Sequence, residues 1–123
     1  MAPVMGKPFL EHLIISLKRQ GIREIVLCLH FLASHIMEYF GSGSRLGVSI
    51  TYSIEDKPLG TAGAIKNAEE HLQDEFYVLN GDTYLEINLL DLLEYHRARM
   101  GIATITLVNV PNSERYGLVK IGW

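Results

Sequence analysis

The run FYVLNGDTY, Phe76 to Tyr84, constrains this chain more than any other segment. Phe76, Tyr77, Val78 and Leu79 are β-formers without polar alternation, the pattern of a strand buried on both faces. The apolar run stops at Asn80-Gly81 and delivers a carboxylate, Asp82. A carboxylate just past the end of such a strand falls where open α/β sheets place their ligand crevice. An unpaired buried charge is too costly to keep, so Asp82 must hold a cation or stay in water. A metal-assisted site is therefore the first expectation.

The flanking sequence supplies the rest of such a fold. Pro8 opens a helical pattern with Phe9, Leu10, Leu13, Ile14 and Leu17 on one face, closed by Gly21. EIVLCLH, Glu24 to His30, predicts a buried strand, and Ser34 to Phe40 a short helix ended by Gly41-Ser42-Gly43-Ser44. VSITYSI, Val48 to Ile54, alternates as a strand nearer a sheet edge does. Gly60 to Leu72 predicts a helix with Ala64, Ile65, Ala68 and Leu72 inward. Asn88 caps a further helix running to Met100, Ile102 to Val110 predicts a strand, and Gly117 to Ile121 a short last one. Strands alternating with amphipathic helices imply βαβ units and a mainly parallel sheet. The 123 residues carry no linker-like or repeated tract, which predicts one domain over 1–123.

Composition gives some functions no support. A net charge of -3 gives no basic footprint for nucleic acid or anionic membrane. No segment has the apolar length of a membrane-spanning helix, and MAPVMGKPF lacks signal-peptide organisation, so the expected location is cytoplasmic. The single cysteine, Cys28, sits inside IVLCL and reads as a buried structural thiol in a reducing compartment, not as a catalytic nucleophile. His12, His30, His35, His71 and His96 show no metal-ligand spacing.

A second candidate site is EDKPLGTAGA, Glu55 to Ala64, joining a strand end to a helix start. Gly60 and Gly63 permit close approach to the backbone, and the helix N-terminus favours an anionic or polar ligand. The same small residues read equally well as tight helix-on-sheet packing. The loop is neither a Walker loop nor the GxGxxG dinucleotide fingerprint.

EDKPLGTAGA, then LNGDTY, then RYGLVKI (Arg115 to Ile121) resembles, in order, the sugar-1-phosphate nucleotidylyltransferases. The opening MAPVMGKPFLEHLI resembles the segment that follows this family's N-terminal signature. The similarity is greatest to the guanylyltransferase branch acting on mannose 1-phosphate or heptose 1-phosphate. It implies a Rossmann-like α/β domain that joins a nucleoside triphosphate to a sugar 1-phosphate, giving a nucleotide sugar and pyrophosphate. It further implies that Asp82 holds magnesium, that Glu55 reads the base, and that Gly60 and Thr61 flank the nucleotide. Tyr116 and Gly117 would lie at the sugar. A carboxylate at Glu55 can accept from both N–H groups of guanine, so GTP is favoured.

The sequence also departs from that family. Its GGxGTRL loop does not occur in these residues, and the lysine of its Pro-Lys-Pro segment would fall before Met1. Lys7 in GKP is a different position. The expectation is a domain truncated at both ends, lacking the family's first strand and inactive alone. The alternative is a non-catalytic binding or assembly module. In either case EIVLCLH and FYVLNGD are expected to pair directly, or to have the gap between them filled by a partner chain in a homo-oligomer.

Overall fold

The computed structural model describes residues 3–111 and 119–120. The chain divides into two compact units, Met1–Asn88 and Leu89–Trp123.

In the first unit a two-residue hairpin, β1 (Pro3–Val4) with β2 (Lys7–Pro8), leads into α1 (Phe9–Arg19). Pro8 stands at the N-cap, where its fixed φ suits helix entry. Gln20 and Gly21 end the helix by donating to Leu17 O and Lys18 O. There follow β3 (Glu24–Leu29), α2 (Ala33–Phe40), a 3-10 turn at Ser44–Leu46 and β4 (Ser49–Ile54). β3 and β4 pair in parallel, from Glu24 opposite Ser49 to Leu29 opposite Ile54. A parallel pair needs a crossover, and α2 provides it. α3 (Gly60–Asn67) then runs into a 3-10 turn at Glu69–His71.

One face of the pair is covered and the other only at its end, where Ser53 is buried. Ser49, Thr51 and Cys28 are exposed on that second face, so Cys28 is not the buried thiol expected. Ile14 of α1, Phe40 of α2, Val48 and Ile50 form the buried core, with Leu10, Ile25, Leu27, Ile36 and Tyr52 packed around it. On the other face Asn67 Nδ2 donates to buried Ser53 Oγ at 3.1 Å and to Ile54 O at 3.2 Å. Cys28 Sγ lies 3.8 Å from Ala64 O in a weak hydrogen bond. Helices on both faces of a parallel pair are the α/β layering that the alternating pattern predicted.

Glu11 was not anticipated. It is only 1% exposed, in the first turn of α1. Arg45 grips it as a fork, Nη2 to Oε2 at 3.1 Å and Nη1 to Oε1 at 3.4 Å. Tyr39 Oη donates to Oε2 at 2.7 Å, and Lys7 Nζ lies 3.4 Å from Oε1. The Arg45 guanidinium also rests over the Tyr39 ring, 5.2 Å from its centroid. The hydrogen bonds from Arg45 and then Tyr39 outweigh burial and hold the carboxyl at about 2, well below its usual 4.5.

Four sequence expectations are corrected. Phe76–Leu79 is not a strand, and Phe76, Val78 and Leu79 are exposed. Among the described residues β3 pairs only with β4, so EIVLCLH and FYVLNGD do not pair directly. Between them lies an open groove of about 840 Å³, lined by the α1 stripe Leu10, Leu13, Ile14 and Leu17, by β3, and by residues 75–79. Its far wall is tied at one end by Gln73 Nε2 donating to Glu24 Oε2 at 3.1 Å. At the other end Gly81 rests beside Leu10. A run of β-formers becomes a strand only where a neighbour supplies a ladder, and no described strand pairs with this one. The same reason applies to Ile102–Val110, which forms no strand and leaves Ile105, Leu107 and Val108 exposed. The helix expected over Gly60–Leu72 is α-helical only to Asn67. The short strand expected at Gly117–Ile121 falls outside the described residues except for Val119 and Lys120.

The second unit holds α4 (Leu89–Arg99), ended at Met100, whose φ is +51°. His96 Nδ1 and Thr104 Oγ1 share a 2.7 Å hydrogen bond, and Arg99 lies over the Tyr95 ring.

Glu11 sets an acid limit on the fold. Its folded pKa is depressed, so its contribution is complete above the unfolded value. That contribution is lost as pH falls from about 4.5 towards 2. Denaturant melts at stepped pH should show that loss in the wild type and not in Glu11→Gln. Arg45→Met, with Tyr39 and Lys7 still in place, should lower stability at neutral pH and shrink the acid-dependent loss in the same melts, because Arg45 is the largest cause of the depressed Glu11 pKa.

Candidate functional site

β3 and β4 end side by side, at Leu29 opposite Ile54, and the next residue of each is polar. Beyond β4 stands Glu55, half-buried. Its N–H donates to Leu29 O at 2.8 Å, which carries the parallel ladder one step further. Its carbonyl accepts from His30 Nδ1 at 2.9 Å. Both main-chain groups of Glu55 are thus held by the end of β3. No hydrogen bond or ion pair engages the Glu55 carboxylate among the described residues, so its acceptor oxygens are available to a ligand.

Asp56 to Leu59 carry the chain to α3, whose first residue, Gly60, has φ +73°. That conformation favours glycine. A Cβ built at Gly60 meets nothing within 4 Å, so the space in front of it is open. Gly63 differs, because a Cβ there would sit 2.7 Å from Leu59 Cβ. Gly60 thus faces open space, while Gly63 packs on Leu59 of the same loop and not on the sheet. Thr61 is exposed in the first turn of α3.

Asp82 is exposed in the turn after Asn80, where Thr83 N donates to Asn80 O at 3.4 Å. Its Oδ1 accepts from Thr83 Oγ1 at 3.1 Å, which leaves Oδ2 free of protein partners among the described residues. No group of three or more His, Cys, Asp or Glu forms a metal cage among the described residues. Magnesium commonly takes only one or two carboxylates and completes its shell with water and phosphate oxygens. A single outward carboxylate such as Asp82 fits that kind of binding and does not fit a protein-only cage.

Glu55, Gly60 and Thr61 thus come together at the β4–α3 junction, while Asp82 stands on a separate turn with no hydrogen bond to Glu55. Tyr116 and Gly117 lie outside the described residues. Sequence reasoning missed the contact between His30 and Glu55. The available signal was their shared position, each one residue past the end of a parallel strand.

Comparison with known proteins identifies the family and the fold. The nucleotidyl transferase family matches residues 1–122. A D-glycero-alpha-D-manno-heptose 1-phosphate guanylyltransferase from Campylobacter jejuni is 42% identical over 121 residues, which are 98% of this chain and 52% of the relative. A mannose-1-phosphate guanylyltransferase from Mycobacterium tuberculosis is 37% identical over 97% of this chain and 33% of its own length. The chain spans about half the length, or less, of these curated relatives. The crystal structure of HddC from Yersinia pseudotuberculosis complexed with GMP-PN superposes with a TM-score of 0.73 at 37% identity, over 78% of this chain and 43% of that one. The fold is therefore Rossmann-like, and the chain belongs to the nucleotidyl transferase family.

Proposed function

We propose that this chain carries the base-reading and metal-binding side of a site for guanylyl transfer to a sugar 1-phosphate. In the complete reaction a sugar phosphate oxygen attacks the α-phosphorus of GTP, a nucleotide sugar forms and pyrophosphate leaves. The observation that carries this reading is Glu55, held through its N–H and its carbonyl at the end of the parallel pair with its carboxylate unengaged. A carboxylate there accepts from both the ring N–H and the exocyclic amine of guanine, whereas uracil or thymine offers one donor. Open Gly60 and the first turn of α3 beside it suit the nucleoside and its phosphates. Asp82 would hold a magnesium ion, which when bound offsets phosphate charge. Tyr116 and Gly117 would meet the sugar. Nucleoside triphosphate chemistry of this kind belongs in the cytoplasm, and no described helix is long and apolar enough to cross a membrane.

The GGxGTRL run that would wrap the triphosphate does not occur in residues 1–123. Electrostatic stabilisation is usually the largest catalytic contribution, so these residues alone are expected to bind nucleotide without turning it over. Conversion of GTP and mannose 1-phosphate to a nucleotide sugar by the purified chain would overturn that. Calorimetry should show Glu55→Gln weakening GTP about 10- to 100-fold, since hydrogen bonds to a charged group contribute about 1.5–3 kcal/mol, with little change for UTP. Asp82→Ala should remove the magnesium-dependent part of GTP binding.

The open groove beside β3 favours a second reading, an assembly module in which an extended segment of another copy pairs with the β3 edge. Strand addition of this kind satisfies backbone groups that a lone edge leaves to water. Sedimentation should then find dimers or larger species. A monomer at every concentration, with β3 amides that exchange freely, would refute it.

A further inference from the structure

His30 is absorbed neither by the core nor by any metal-ligand set among the described residues. It is exposed, yet its ring has a specific task at the end of the sheet. A carbonyl oxygen can only accept, so the 2.9 Å contact with Glu55 O makes Nδ1 the protonated nitrogen. Nε2 makes no hydrogen bond to the described protein.

The consequences fall on Glu55. Its N–H is fixed by Leu29 O, which restrains φ, and its carbonyl by His30, which restrains ψ. Backbone φ and ψ decide which χ1 rotamers a side chain can take. The same ψ sets the direction in which residues 56–59 leave β4 for Gly60. One imidazole therefore governs both the aim of the carboxylate and the start of α3. At this point the parallel ladder has run out, and no other described hydrogen bond reaches the Glu55 carbonyl.

We infer that His30 is a positioning residue for base selection: its Nδ1–H locks the Glu55 carbonyl and thereby aims the Glu55 carboxylate at the guanine edge. The inference rests on the base-reading role given to Glu55. It assigns His30 no contact with the nucleotide. Its effect is on the ratio of GTP to UTP affinity, because only guanine uses both acceptors of an aimed carboxylate.

The test is calorimetry of GTP and UTP on the full chain in five forms: wild type, Glu55→Gln, His30→Leu, His30→Asn and His30→Gln. One hydrogen bond of ordinary strength corresponds to about a fivefold to tenfold effect. His30→Leu should lower GTP affinity by about that factor, leave UTP nearly unchanged and leave the melting curve close to wild type. The Asn amide nitrogen sits where Nδ1 does, so His30→Asn should restore the GTP preference. The Gln amide reaches the Nε2 position instead, and His30→Gln should not. An unchanged GTP:UTP ratio in His30→Leu, with a lowered ratio in Glu55→Gln, overturns the inference and leaves the Glu55 reading intact. Parallel loss of both nucleotides in His30→Leu overturns it in favour of a purely structural role. Rescue by Gln and not Asn overturns it in favour of a direct nucleotide contact through Nε2. An unchanged ratio in Glu55→Gln, or a wild type that binds no GTP, removes the Glu55 reading and the inference with it.

Discussion

The first unit is organised around a carboxylate that water does not reach. Glu11 sits in the first turn of α1 at 1% exposure, and its oxygens are satisfied by groups from elsewhere in the unit. Tyr39 comes from α2, Arg45 from the 3-10 turn after it, and Lys7 from the hairpin before α1. A buried charge is tolerable only when its partners are all in place. Glu11 therefore makes the hairpin, α1, α2 and the 3-10 turn conditional on one another. α1 and α2 both press on the β3–β4 pair through Ile14 and Phe40, so the parallel pair depends on the same arrangement. Protonation of Glu11 at low pH therefore bears on all of these elements together.

Local patterns were legible where the partner of each element lies close in sequence. Pro8, Gly21 and the Leu10, Leu13, Ile14, Leu17 stripe gave α1. β3 and β4 were readable because α2 brings them together across about one crossover's length, and each completes the other's ladder. Phe76–Leu79 and Ile102–Val110 have equally good strand composition and form none. Their composition states only that a neighbour would be welcome, and the described structure does not supply one. Glu11 was hidden for the opposite reason. Its Lys7 partner stands four residues away and could be read, but Arg45 and Tyr39 come from 34 and 28 residues on and no local pattern links them. The site divides in the same way. Glu55 and Gly60 follow from a strand end meeting a helix start, whereas the His30 contact needed the register of two parallel strands.

That register fixes the geometry at the β4–α3 junction. Parallel strands end with their last carbonyls and the next N–H groups at the same level. Each continuation residue can then be bonded to its neighbour's end rather than to its own strand. Glu55 is held in this way, and its side chain is left for something outside the protein. Gly60 keeps the adjacent space open, while Gly63 seats Leu59 and anchors the loop. Asn67 fastens the far end of α3 to Ser53 and Ile54 of the same strand. The segment from Glu55 to Asn67 is thereby tied to the strand pair at both ends.

The groove beside β3 has a bearing on binding. Glu55 is carried by the strand pair on one side of it, and Asp82 follows the segment that forms the opposite wall. An occupant that set the spacing of those two walls would set the distance between the two carboxylates with it. A ligand that needs both at one separation would then favour an occupant that holds the groove at that width and disfavour one that does not. Linkage makes the effect mutual, so such an occupant would change ligand affinity by the same factor by which the ligand changes its own. Occupancy of the groove and occupancy of the site would be two readings of one equilibrium.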